Sequence, residues 1–252
     1  MWKKSIGQVA TSIAMLGLAS AQQPVEQVTV RVLPLGNRPP FVQEVRGNMR
    51  QEIDAPEGSL PPGEISVGIP APEGEEKKAD KLMHLRLGEV SEAVAMPKID
   101  PPTVTLRDPA ANKIWLKQTL GTTKSTLLVV WRPGDKWNEP RCLPLDDSTE
   151  AIPRDGIRVV NVAPVEMKMI WGEQRLRLLP GKAIVLRFPE GSKTAPFQIL
   201  FTDTDNKLKP CLNTTAELDT GSRRQWFVFK DDRTATRMPV QVVPLSEPRT
   251  AQ

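Results

Sequence analysis

The sequence predicts an all-β chain of two tandem antiparallel, immunoglobulin-like β-sandwiches behind a short export leader. Three observations carry that prediction. Proline is abundant, at 25 of 252 residues, and such a density cuts a chain into short strands and turns and excludes long helices. Alternating or β-rich runs punctuated by Gly, Pro, Asn and Asp recur roughly every ten residues, the rhythm of a sandwich or barrel. The order of strands and turns in the first half then recurs in the second.

At the N-terminus, Met1-Trp2-Lys3-Lys4 supplies positive charge and Ile6 to Leu18 a mildly apolar stretch. Ala19-Ser20-Ala21 then places small residues before Gln22. These are the three parts of a secretory signal peptide, so residues 1–21 are expected to be cleaved. The apolar stretch holds Gln8, Thr11 and Ser12 and is too short for a permanent membrane span, and no later segment approaches the ~20 apolar residues a span needs. The expected destination is the periplasm or the extracellular space.

Strand-like runs follow at Val28–Leu33, Phe41–Arg46, Glu64–Ile69, Leu82–Leu87, Lys113–Leu120 and Thr126–Trp131. A second set comprises Ile157–Val162, Glu166–Trp171, Gln174–Leu179, Ala183–Phe188, Phe197–Thr202, Gln225–Lys230 and Pro239–Val243. Arg175-Leu176-Arg177-Leu178 has the polar-out, apolar-in alternation of a half-buried strand. Residues 54–80, rich in Pro and Glu and ending Glu73-Gly74-Glu75-Glu76-Lys77-Lys78, read as an exposed loop around one short strand.

The internal repeat sets the domain boundary. Thr29-Val30-Arg31-Val32 opens the first set and Gly156-Ile157-Arg158-Val159 the second; Pro62-Gly63 and Pro180-Gly181 each introduce a later strand. The sets close on strands ending Pro144-Leu145 and Pro244-Leu245. The expected domains are 22–150 and 151–252. Cys142 falls in the last strand of the first and Cys211 inside the second. An oxidising compartment makes their pairing the expectation, a staple between domains with a stabilisation of roughly 4 kcal/mol in chain-entropy terms. Two buried thiols acting as small apolar residues are the alternative.

The single histidine, His84, removes several chemistries. A blue-copper site needs two histidines, a three-histidine zinc site is impossible, and neither His-Glu-x-x-His nor Cys-x-x-Cys occurs. No Gly-x-Ser-x-Gly is present to seat a serine nucleophile. Asp203 and Asp205 resemble the start of a calcium loop, but the sixth position is Leu208 and the twelfth Thr214, so a hairpin turn is the better reading. No metal or cofactor is expected, and no catalytic residue can be named.

Loss of Lys3 and Lys4 lowers the formal charge from +4 to +2, which gives no case for nucleic acid. The charge is uneven: residues 22–150 carry 16 basic and 19 acidic side chains, residues 151–252 carry 16 and 11. Arg158, Lys168, Arg175, Arg177 and Arg187 sit on successive strands of the positive half and are a candidate basic face for an anionic polymer or an acidic envelope protein; a solvated outer sheet face is the plain alternative. Trp131 and Trp137, flanking Pro133-Gly134, are the candidate aromatic contact.

The second half, with Leu127-Leu128-Val129-Val130 before it, then Gly156-Ile157-Arg158-Val159-Val160-Asn161-Val162-Ala163-Pro164 and Leu179-Pro180-Gly181-Lys182, resembles a family of secreted tandem β-sandwich proteins from bacteria of the Verrucomicrobia–Planctomycetes kind. The resemblance spans roughly 120–245. It implies export and a sandwich fold and brings no catalytic residues. A looser similarity to immunoglobulin-like and pilus-chaperone sandwiches is one of fold. The expected function is non-enzymatic binding or assembly in the cell envelope. The alternative is an envelope hydrolase using a carboxylate pair, which sequence alone does not locate.

Overall fold

A computed structural model describes residues 26–40, 42–47, 49–68, 80–233 and 238–249; residues 1–21, expected to be a leader, and the run Glu73–Lys78 lie outside the described residues. The first half contains β1 (Gln27–Leu35), β2 (Val42–Arg46), β3 (Met49–Ile53), β4 (Glu64–Gly68), β5 (Lys81–His84), β6 (Val94–Pro97), β7 (Thr103–Asp108), β8 (Lys113–Thr119), β9 (Ser125–Trp131) and β10 (Arg141–Asp146). The second contains β11 (Gly156–Asn161), β12 (Met167–Trp171), β13 (Gln174–Leu178), β14 (Lys182–Arg187), β15 (Thr194–Thr202), β16 (Leu208–Glu217), β17 (Ser222–Lys230) and β18 (Val240–Pro248). The protein is all-β, and no described helix is long and apolar enough to cross a membrane.

Sheet order turns the repeat into geometry. The first half forms β10-β9-β1-β6 and β5-β4-β7-β8; the second forms β18-β17-β11-β14 and β13-β12-β15-β16. Each described strand of the second half has its counterpart at the same place in the first, and among the described strands only the separate β2-β3 hairpin is unmatched. In both halves the opening strand runs parallel to the penultimate one, β1 with β9 and β11 with β17, a departure from the purely antiparallel expectation. Four strands escaped the sequence pattern. β3 and the edge strand β16 expose most side chains on both faces, so they carry little alternation. β6 is only four residues long, and β7, although it alternates, is hemmed in by prolines.

Alternation along the strands builds three cores. Val30, Val32, Ile65, Leu106, Leu128 and Val130 fill the space between the two sheets of the first half, and Ile157, Val159, Met169, Phe197, Ile199 and Val228 do so in the second. The remaining faces of β1, β9, β11 and β17 meet in a third core of Leu33, Leu35, Leu127, Val129, Val160, Val162, Phe227 and Phe229. The inner sheet of each half is therefore covered on both faces, and the result is a four-layer stack. Strands buried on both faces require unbroken apolar runs; this explains why Leu127–Val130 is apolar throughout while β12 and β15 alternate. Each large side chain so buried contributes roughly 1.5–3 kcal/mol.

The rim of the third core is polar. Asp147, almost fully buried, accepts hydrogen bonds from Arg31 (2.7 Å) and from Arg223, and Arg31 also reaches Glu247. Arg158 stands where Arg31 stands, one half later, but donates to Gln225 and to the main-chain carbonyl of Asp146. Buried charge costs heavily unless paired. The junction meets that requirement with carboxylates on one side and with neutral acceptors on the other.

Cys142 packs on the first core and Cys211 on the second, and both are free thiols. The expected staple is corrected: both inner sheets lie between the two sulfurs, which leaves no approach for a disulfide. Burial pushes the Cys142 thiol up to about 12 and that of Cys211 up to about 11.

Candidate functional site: the hairpin cleft

The unmatched hairpin marks the place where the halves differ. Residues 36–63 join β1 to β4, whereas residues 162–166 join the corresponding β11 to β12. Gly47 makes the hairpin turn with φ of +64°, a conformation that non-glycine residues rarely adopt. Val42 pairs with Ile53 and Arg46 with Met49. Side chains two apart share a face, so Val42, Ile53 and Met49 lie on one side of the ribbon and Val45 on the other. All four are exposed, Met49 at 76%.

The stem of this segment is held firmly. Asn37 donates through Nδ2 to Asp231 (2.7 Å) and Asp232 (2.6 Å) of the second half. Arg132 bridges Asp232 to the carbonyl oxygens of Ser59 and Asp135. Trp137 donates its main-chain N–H to Gly58, and Trp115 donates Nε1–H to Trp137. Burial by itself would raise the Asp231 carboxyl, but hydrogen bonds from Arg233 and Gln241 outweigh it and hold the group down at about 2.

Between the stem and the end of β5 lies an open cleft of about 550 Å³, floored by Ile53, Leu60, Pro61, Leu85 and Leu87. Arg38 and Arg86 stand at it. Among the described residues the Arg86 side chain is paired only with Glu89, at 3.8 Å with both side chains largely exposed. Arg38 is exposed and has no hydrogen-bond or ion-pair partner among the described residues. The cleft thus combines an apolar floor, two available guanidinium groups and a ribbon that runs outward from it, with Val42, Met49 and Ile53 interleaved with Glu44 and Gln51 on one face. Apolar surface with a few placed polar groups is the usual make-up of a binding site.

The residues singled out from sequence are scattered. Lys168 pairs with Arg177 across β12–β13, and Arg175 follows opposite Ile170, so three of the five basic residues share the outer face of one sheet, with Arg177 bound to Glu166. Arg187 lies on a different sheet and is paired with Asp155. Arg158 is 4% exposed inside the junction. The five-residue face is corrected to three, because the stacking of the inner sheets covers Arg158 and sheet membership separates Arg187. The aromatic pair is corrected too. Trp137 is buried and stacked on Trp115, ring centroids 6.3 Å apart, and Trp131 packs half-buried against the third core.

His84 is exposed beside Glu64 (3.3 Å) and Glu92 (3.2 Å). Among the described residues no group of three or more His, Cys, Asp or Glu is placed to hold a metal ion. Sequence reasoning passed over Arg38, Arg86 and the exposed hairpin residues. A signal existed, since Gly47-Asn48 between two strand-like runs is a hairpin turn pattern. No protein-family model matches the chain, and no curated protein does.

Proposed function

We propose that this is an exported, non-enzymatic protein of the cell envelope that works by binding a partner at the hairpin and its cleft. Export rests on the leader pattern of residues 1–21. The binding reading rests on one observation: a two-stranded ribbon with exposed Val42, Val45, Met49 and Ile53, inserted into only one of two otherwise matched halves. An isolated two-stranded hairpin gains little stability for itself in water, and Val45 and Met49, at 65% and 76% exposed, are little covered by the described residues. Their use lies in contact with something else.

The test is site-specific photo-crosslinking in the native envelope. A photoreactive side chain at Met49 or Val45 is expected to give one dominant adduct, with little at Gln198 on the outer face of β15. Equal adducts at all three positions, or none at the hairpin, would refute the reading. Fractionation and N-terminal sequencing are expected to find the chain outside the cytoplasm and beginning at Gln22.

A further inference from the structure

We infer that the cleft receives an extended polypeptide segment bearing a carboxylate among apolar side chains; this deepens the binding reading above and rests on it. Three features select this occupant. The floor of Leu60, Pro61, Leu85 and Leu87 takes apolar side chains. Arg38 has no partner among the described residues and Arg86 only a distant, solvated one, so both forks are available, and a guanidinium matches the two oxygens of a carboxylate. The third feature separates a polypeptide from other anionic amphiphiles. Among the described residues β2 and β3 pair only with each other, so neither has another described strand along its outer edge of main-chain N–H and C=O groups. An added strand satisfies such an edge, whereas an acyl chain offers it nothing. Because Ile53 both lines the cleft and belongs to β3, a chain lying along the ribbon enters the cleft directly.

The interaction is read with a fluorescein-labelled nonapeptide of alternating valine and threonine, carrying one central glutamate and an amidated C-terminus, added to the purified protein. Saturable binding is expected, and Arg38→Ala and Arg86→Ala are each expected to weaken it roughly tenfold, the scale of one lost charge-assisted hydrogen bond. Both side chains are exposed, so neither variant should disturb folding, and Met49→Asp provides a second, independent loss on the ribbon. A peptide with glutamine replacing the glutamate should bind at least tenfold more weakly. If that glutamine peptide regains binding when its C-terminus is left free, the cleft reads a chain end as well as a side chain, which supports the assignment. Equal binding of the amidated glutamate and glutamine peptides overturns it. So does an absence of saturable binding, or binding of phosphatidylglycerol vesicles alone. If all peptides fail while hairpin crosslinks persist, the polypeptide assignment falls and the binding reading stands; if the crosslinks vanish too, both fall.

Discussion

Arg31 and Arg158 occupy the same place in the two halves, and their surroundings differ. Each sits on the opening strand, on the face turned toward the other half, and each is drawn from water by the third core. For Arg31 burial works downward, but its bonds to Glu247 and the charges of Asp147 and Glu247 win and raise it above the ordinary arginine value. For Arg158 burial dominates, opposed in part by the charge of Asp147, and brings it down to about 10. The two carboxylates serving Arg31 come from matching positions one half apart, just beyond β10 and near the end of β18. The two halves thus share a packing scheme and differ in their polar seats. The hairpin is the second difference, present beside β1 and absent beside β11.

The largest effect is expected at the carboxylate seat: Asp147→Ala leaves Arg31 and Arg223 buried without their shared partner and should cost roughly 3–5 kcal/mol in urea unfolding. Arg158→Met removes a desolvated charge and leaves only neutral acceptors unpaired, at about 1–2 kcal/mol. Equal losses would show that the seats do not differ.

Next comes the pH dependence at the stem of the hairpin. The Asp231 carboxyl is held at about 2 against an ordinary value near 3.8, so the folded state favours its ionised form. That stabilisation is complete above about pH 4 and is lost as the pH falls from there through 2. Asp231→Asn should flatten the stability profile across that window and leave its slope at neutral pH unchanged.

Smaller still is the expected effect of Met49→Ser on the hairpin, within about 0.5 kcal/mol in urea unfolding, because the side chain is exposed. The same change should weaken the hairpin crosslinks. A large loss of stability would mean that the hairpin supports the first half instead of serving a partner. The smallest effect is that of a reductant. With both thiols free and their pKa values raised, dithiothreitol should leave the Tm unchanged, and iodoacetamide at pH 8 should modify Cys142 and Cys211 only after denaturation.

Much of the architecture was legible because alternation is a local property. Lys168, Ile170, Arg175 and Arg177 announced an outer face, and the Pro-Leu strand endings announced the repeat, with Leu145 and Leu245 now seen at matching places opposite Leu127 and Gln225. The unbroken apolar run Leu127–Val130 was visible in the chain, but only the structure shows that its second face is covered by the other half. The cleft was not legible. Arg38 and Leu60 lie at opposite ends of the β1–β4 connection and Leu85 follows β5, with no shared period, and only folding brings them together.

The all-β class, the strand rhythm and the repeated strand order follow from side-chain period and turn chemistry, which act over a few residues. How the halves meet, and what each charged or sulfur-bearing side chain does, follows only from the folded arrangement. Arg158 reads as an outward charge until a second sheet covers it and Gln225, 67 residues away, accepts its hydrogen bond. Cys142 and Cys211 read as a pair until two inner sheets come between them. Burial and partnership depend on what lies across a layer, and contacts across layers have no signature in local spacing.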